Sequence, residues 1–298
     1  MELRQLSTFK AVAEAMSFTR AAEALNYAQS SVTAHVHALE EELGVPLFER
    51  LGRRIVLTKA GERLLEYADK LLRLAGEAQS VVPAGDEPAG SLVIGAPESL
   101  LTYRMLPVLR GFRARCPRVK VVFRPGTCLE LRRALSAGTL DVAVLLEEPV
   151  EAPGLVVEEL FPESLELIAH PEHRLAGVPM GPRDLEGEAL LMPEAGCSYR
   201  VMLESRLAEA GVHPGSITEF ASLEAIKQCV MAGLGVGILP EVAVSGEVAT
   251  GRMVILPWHD LPFGFVTQVA WHKDKWMTPA LLAFIEVLNE ILPKQAAA

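Results

Sequence analysis

The chain has 298 residues, half of them hydrophobic and 22% charged, with a net charge of −10; this length suits about two ordinary domains, and the composition excludes a disordered chain. The acidic balance excludes a protein coated in nucleic acid over its whole surface, but not a small DNA-reading module on an acidic body. Four scattered cysteines, Cys116, Cys128, Cys197 and Cys229, form no C-x-x-C pair, which argues against a disulfide scaffold or a structural zinc site and for the cytosol.

The opening stretch, MELRQLSTFKAVAEAM, has no continuous apolar run, so no signal peptide is expected, and no stretch of about 18 apolar residues predicts a membrane span. Leu3, Leu6, Phe9, Val12, Ala13 and Met16 recur at helical spacing. A second helix is predicted over 20–25, capped by Ser17 or Thr19, with Ala21, Ala22 and Leu25 inward. Asn26 and Tyr27 make a bend, and a third helix starts at Gln29. At about 100° per residue, Val32, Val36, Leu39 and Leu43 form one narrow stripe that must face a core. Ser30, Thr33, Ala34 and His37 point the other way, and their short side chains let a partner approach the backbone. Gly44 ends the helix. Helices of this size with a tight turn between the second and third predict a helix-turn-helix. Leu47 and Phe48 are expected to pack on the third helix. The stretch RRIVLT then predicts a small hairpin, or wing, with Arg50, Arg53 and Arg54 at its turn, where guanidinium groups suit phosphates or a minor groove. Residues 1–60 hold as many acidic as basic residues, so the basic character is local to the wing, and Glu40, Glu41 and Glu42 lie at the far end of the third helix.

The run AAEAL, followed by QSSVTAHVHALEEELGVPLFERLGRRIVLTKAG, closely resembles the signature of LysR-type transcriptional regulators. Ala21, Ala22, Leu25, Gln29, Val32, Leu39, Glu40, Leu43, Gly44, Leu47, Phe48, Arg50, Arg53, Leu57, Thr58, Ala60 and Gly61 match at fixed spacing. Ala28, Ser30, Ser31, Thr33 and His35 depart from the family pattern, which affects the DNA sequence preferred rather than the module. The resemblance implies that the third helix lies in the major groove, with Gln29, Ser30, Ser31, Thr33 and His37 facing it. Gln29 is the expected base reader, because its amide can pair with an adenine edge. Arg50, Arg53 and Arg54 become backbone or wing contacts, and Thr19 and Arg20 hold phosphate at the start of the second helix.

From 61 to 82 the spacing of Leu64, Ala68, Leu71, Ala75, Ala78 and Val82 alternates four and three, a heptad seam that predicts a dimerisation helix. Such a helix holds two reading heads for a two-fold-related DNA site. The stretch VPAGDEPAG at 82–90 reads as a hinge.

Beyond residue 90, short β-rich runs alternate with helical ones, which predicts parallel strands with covering helices. A single helix is expected from LLTYRMLPVLRGFRARC. The pattern restarts near Phe161, and the final strand and helix return to the first half. The expected architecture is α/β and multi-domain. A winged helix-turn-helix occupies 1–60, a linker helix and hinge 61–90, and a two-lobed, periplasmic-binding-protein-like effector domain 91–298. Lobe I takes about 91–162 plus 266–298, and lobe II about 163–265. Ligands of open α/β sheets bind beyond the carboxyl ends of strands, near helix N-termini. Those points hold Pro97, Glu98, Ser99 and Thr102; Gly126 and Thr127; Gly196, Cys197 and Ser198; and Ser222. Arg200 is a candidate for a ligand carboxylate, whereas Glu98 would oppose an anion, hold an amine or merely cap.

Cys197 sits at a predicted helix start, where a thiol pKa falls, so a redox-sensing regulator of the same family is one alternative. A solute-binding protein and an α/β enzyme are others from different classes. The second cysteine that such redox sensors use shortly after the first is missing here. GLGVGILP is no dinucleotide motif, His170 and His173 lack a third metal ligand, and no nucleophile elbow exists. The reading is a cytoplasmic, non-enzymatic transcription regulator without cofactor or metal. Its partners are double-stranded DNA, a small polar metabolite and further copies of itself, as a homodimer through the linker helix and by resemblance often a tetramer. RNA polymerase is a further candidate partner, and no membrane is.

Overall fold

The computed structural model describes residues 1–51, 54–81, 88–258 and 264–296, without the side chains of 50, 51, 73, 77, 79–81 and 293–296. The chain divides into two compact units, Met1–Gly85 and Asp86–Ala298.

In the first unit, helices α1 (Leu3–Ala15), α2 (Phe18–Leu25) and α3 (Gln29–Leu43) precede a hairpin of β1 (Phe48–Leu51) and β2 (Arg54–Leu57), and α4 (Lys59–Val81) follows. Helix α2 starts two residues before the predicted position. Ser17, with extended backbone, is its cap and accepts a hydrogen bond from the Arg20 N–H at 3.3 Å. Asn26, in the left-handed region at φ 54°, ends α2, and Gly44, at φ 70°, ends α3. Val32, Val36 and Leu39 are buried as expected, but Leu43 is 40% exposed. The chain reverses directly after it, and Leu47, fully buried, packs in the cluster with Leu39. The reversal is held by Glu40, whose Oε1 accepts the N–H groups of Leu47 (2.7 Å) and Phe48 (3.3 Å). Phe48 stacks near both Phe9 and Phe18, with ring centroids 5.4 and 5.7 Å apart. The Leu-Thr-x-Ala-Gly stretch has its own local logic. Thr58 donates its hydroxyl proton to Pro46 O (2.8 Å) and accepts from Gly61 N–H (3.0 Å). A Cβ on Gly61 would stand 2.2 Å from Leu47 O, so only glycine lets α4 start this close to the turn.

The expected seam on α4 divides. Ala68 is fully buried, and Leu64, Leu65 and Leu72 pack beside it on Leu6 and Phe9 of α1. Among the described residues, the apolar side chains left outside are Tyr67, Leu71 and Leu74, at 60%, 37% and 60% exposure, together with exposed Ala78. The heptad spacing holds, but the exposed face keeps only Leu71 and Ala78 of the predicted seam and adds Tyr67 and Leu74. Val82 lies outside the described residues, as does most of the 82–90 hinge.

The second unit holds two five-stranded sheets. One has the order β4 (Val119–Pro125), β3 (Gly90–Ala96), β5 (Val142–Glu147), β12 (Val266–His272), β6 (Leu155–Pro162). The other has the order β11 (Val254–Ile255), β7 (Leu165–Ala169), β10 (Val236–Pro240), β8 (Ala189–Pro193), β9 (Ser216–Phe220). Both sheets are mixed rather than all parallel: β12 runs antiparallel to β5 and β6, and β7 antiparallel to β10 and β11. The reversal follows from connectivity, because the chain enters the second sheet after β6 and comes back as β12. Helices α5 (Glu98–Tyr103), α6 (Met105–Arg115), α7 (Cys128–Ser136) and α11 (Pro279–Ala296) belong with the first sheet, and α8 (Ser198–Glu209), α9 (Leu223–Met231) and α10 (Glu241–Ala249) with the second. The single helix expected around 100–116 is broken at Arg104. Pro107 then falls in the first turn of α6, where its missing N–H costs nothing. Helices α6 and α11 meet edge-on at Phe112 and Phe284, whose centroids are 5.5 Å apart.

Candidate functional sites

The outer face of α3 is built of short side chains. Gln29, Ser30, Ser31, Thr33, Ala34 and His37 are all exposed, while Val32, Val36 and Leu39 hold the opposite face in the core. Thr33 turns its hydroxyl inward onto Gln29 O (3.0 Å), so it presents a methyl outward. His37 lies 3.3 Å from Glu41. His35 is not part of this face: its Nδ1 lies 3.0 Å from the hydroxyl of buried Thr8, and its ring meets Tyr27 at 5.9 Å. It joins α3 to α1 and to the bend, a structural role the sequence pattern did not indicate. Thr19 and Arg20 are exposed at the start of α2, and Arg20 also donates to Ala15 O. Arg54 is exposed at the start of β2, next to the turn. The side chain of Arg50 and the whole of Arg53 lie outside the described residues.

In the second unit, four strand ends converge on one cleft between the sheets. Pro97, Glu98 and Ser99 follow β3. Gly126, Thr127 and Cys128 follow β4. Glu194, Cys197, Ser198 and Tyr199 follow β8, and Ala221 and Leu223 follow β9. The enclosed space is only about 30 Å³, room for a water or two. Two hydrogen bonds join residues of its lining. Ser198 donates to Leu146 O at 2.5 Å, and Glu98 Oε2 accepts the Leu223 N–H at 3.2 Å, at the start of α9. Beside them, buried Lys227 on α9 reaches the Tyr103 hydroxyl (3.3 Å) and pairs with Glu247 (2.9 Å). Thr127 donates both its N–H and its hydroxyl to Glu130 Oε2, each at 2.9 Å, and these bonds hold the Glu130 pKa below the usual carboxylate range. Partial burial, with Glu130, Glu98 and Glu219 nearby, pushes the Glu194 pKa up.

The other predicted cleft residues lie elsewhere. Thr102 is exposed on α5 and does not line the cleft, and Ser222, the residue capping α9, stands between two that do. Gly196 lines a neighbouring cavity of about 610 Å³, which the cleft adjoins at Cys128 and Ser198. Arg200 is already engaged: it pairs with Glu204 (2.7 Å) and Glu219 (2.5 Å) and donates to Pro193 O (2.7 Å). The Arg200 guanidinium is therefore not free for a ligand carboxylate. Cys197 also departs from expectation. Burial pushes its thiol up to about 11, outweighing the Arg200 and Tyr199 N–H groups that lower it, and Cys128 is pushed up to about 12 for the same reason. Thiols so held are poor nucleophiles, which argues against the redox alternative. Sequence reasoning passed over Cys128, Leu146, Pro193, Glu194, Tyr199, Phe220, Ala221 and Leu223 as lining residues. Most of them flank the predicted strand ends, and that position was the available signal. Among the described residues no group of three metal-ligating side chains is assembled, and no helix is long and apolar enough to cross a membrane.

Residues 3–62 match the family model described as bacterial regulatory helix-turn-helix protein, lysR family, and residues 85–293 match the LysR substrate binding domain. The chain is 46% identical over 293 residues to the HTH-type transcriptional regulator YwqM of Bacillus subtilis (strain 168), covering 97% of this chain and 99% of that one. It is 33% identical over 291 residues to GltR of the same strain, with 97% of each covered. Among solved structures, a full-length OxyR variant from Pseudomonas aeruginosa superposes with a TM-score of 0.70 at 27% identity, covering 98% of this chain and 94% of that one. Full-length CbnR complexed with its target DNA gives a TM-score of 0.69 at 27% identity, covering 97% and 99%. With both halves of the family matched in order and relatives that are regulators rather than enzymes, the chain belongs to the LysR family of transcriptional regulators, with a DNA-binding head and an effector-binding domain.

Proposed function

We propose that this regulator reads a dyad-symmetric promoter site with the outer face of α3, assembles through α4 as a dimer and often as a tetramer, and answers to a small polar metabolite bound between the lobes. The observation that carries the reading is the pairing of two features: the short-side-chain face of α3, open to an approaching duplex, and a small cleft with polar side chains in its lining where four strand ends meet. Gln29 is the base reader; Ser30, Ser31, Thr33 and His37 shape the groove contact; Thr19, Arg20, Arg50, Arg53 and Arg54 hold phosphates. The protein works in the cytoplasm, where its DNA is, and acts on RNA polymerase at the promoter. Pro97, Glu98, Ser99, Gly126, Thr127, Cys197 and Ser198 form the effector site.

The test is a mobility shift on the DNA upstream of the protein's own gene across a salt series. A specific complex that weakens steeply with salt is expected, because phosphate contacts release counterions. Gln29→Ala is expected to cost about 1–3 kcal/mol and to relax base preference at one position. Arg53→Ala is expected to weaken all sequences evenly and to flatten the salt slope by about one. Equal losses with unchanged base preference would remove this division of labour.

A further inference from the structure

Two of the helix starts that open on the cleft, those of α7 and α9, already have an acceptor from the protein itself. The first N–H of α9 is taken by Glu98, and the start of α7 is closed by the reciprocal pair of Thr127 and Glu130. At α8, the nearby cation Arg200 is held by Glu204 and Glu219. No lysine, arginine or histidine lines the cleft, whereas Glu98 and Glu194 do, with Glu130 and Glu219 close enough to raise the proton affinity of Glu194. An entering carboxylate would meet a negative field and no free donor of positive charge. The second observation is independent of the acidic groups. Ser99, only 2% exposed, lines the same cleft, and its hydroxyl oxygen has no hydrogen-bond partner. A buried hydroxyl left this way costs stability unless a ligand or water satisfies it. Phe220 also lines the cleft.

We propose that the cleft takes a small aliphatic ammonium compound, a mono- or diamine, with Glu98 and Glu194 as its counter-charges and Ser99 accepting a hydrogen bond from the same nitrogen. This rests on the cleft being the effector site of a DNA-binding regulator. An ammonium is a stronger partner for Glu98 than a neutral peptide N–H. Binding therefore draws Glu98 away from α9 and releases one of the bonds between the lobes, which also makes the room the ligand needs.

Full-length protein is titrated calorimetrically with 1,4-diaminobutane, 1,4-butanediol and succinate, three probes of equal chain length, at matched ionic strength, and the same preparations are run in the mobility shift. The diamine is expected to bind, the diol weakly and succinate not at all. Glu194→Gln and Glu98→Gln are each expected to weaken the diamine by about tenfold, the loss of one charge-assisted bond. Ser99→Ala is expected to weaken it several-fold, with circular dichroism confirming that each variant is folded. Succinate binding as well as or better than the diamine, no diamine binding, or diamine binding unchanged in both glutamine variants would overturn the proposal. If any of these occurs while specific DNA binding persists, only the amine assignment falls. Loss of specific DNA binding by the unaltered protein would remove the regulator reading beneath it.

Discussion

Glu194 shows how a single residue carries the electrical character of the cleft. Partial burial and then the carboxylates of Glu130, Glu98 and Glu219 raise its pKa, so the fold prefers its protonated form. The stability linked to that preference is present in full below the unfolded pKa and is lost as pH rises through the folded one. Glu194→Gln is therefore expected to raise the melting temperature at neutral pH, and to leave it unchanged below about pH 4, where the carboxylate of an unfolded chain is itself protonated. Thermal melts across this range check the sign; a gain that persists in acid would mean that charge crowding is not its source. Gln29 contrasts with Glu194. Its position was legible in the sequence because helix periodicity fixes which residues share a face. The crowding around Glu194 was not legible, because its neighbours come from three other segments of the chain.

At the scale of the element, α4 has two faces with different duties. One, through Leu64 and Ala68, completes the core of the head; the other leaves Tyr67, Leu71, Leu74 and Ala78 outside at heptad spacing. Apolar side chains repeated four and three apart along an exposed helix are suited to a second copy of the same helix. The double variant Leu71→Glu, Leu74→Glu is expected to stay folded, to sediment at a lower mass and to lose DNA affinity together with its dimer. Leu64→Glu is expected instead to unfold the head, because it places a charge against Leu6 and Phe9. Unchanged mass in the double variant would place the oligomer contact elsewhere. The period of this helix was readable from the sequence, but its phase was not. Which half of an apolar seam goes inward depends on where α1 lies, and α1 is placed by packing.

At the scale of the whole molecule, the crossing between lobes is anchored by one buried ion pair. Arg104 donates to both oxygens of Glu163, at 2.8 and 2.9 Å, and Glu163 sits between β6 and β7 with only 5% of its surface exposed. Thr267, on the returning strand, donates to the same carboxylate at 3.4 Å. Both passages of the chain therefore meet at one charged knot. Glu163→Leu leaves the Arg104 guanidinium buried without its partner, and is expected to cost about 3–5 kcal/mol in denaturant melts. Adding Arg104→Met is expected to restore much of that loss, since a buried pair replaced by apolar groups is often neutral. A small cost for Glu163→Leu alone would show that the knot is more open to water than its burial indicates.

The helices of the reading head were legible from local signals, because Ser17, Asn26 and Gly44 act through bonds and backbone angles that need only near neighbours. The sequence by itself also determined that strands would alternate with helices, and that the ends of those strands would carry the small polar residues of a cleft. Tertiary structure alone decided that β12 returns antiparallel, that Arg200 is spent on Glu204 and Glu219, that burial raises the Cys197 thiol, and that Glu98 spans 125 residues to cap α9. The physical reason is range. Periodicity and capping are set within a turn or two of chain, whereas charge, burial and closure depend on which distant segments the packed core brings together.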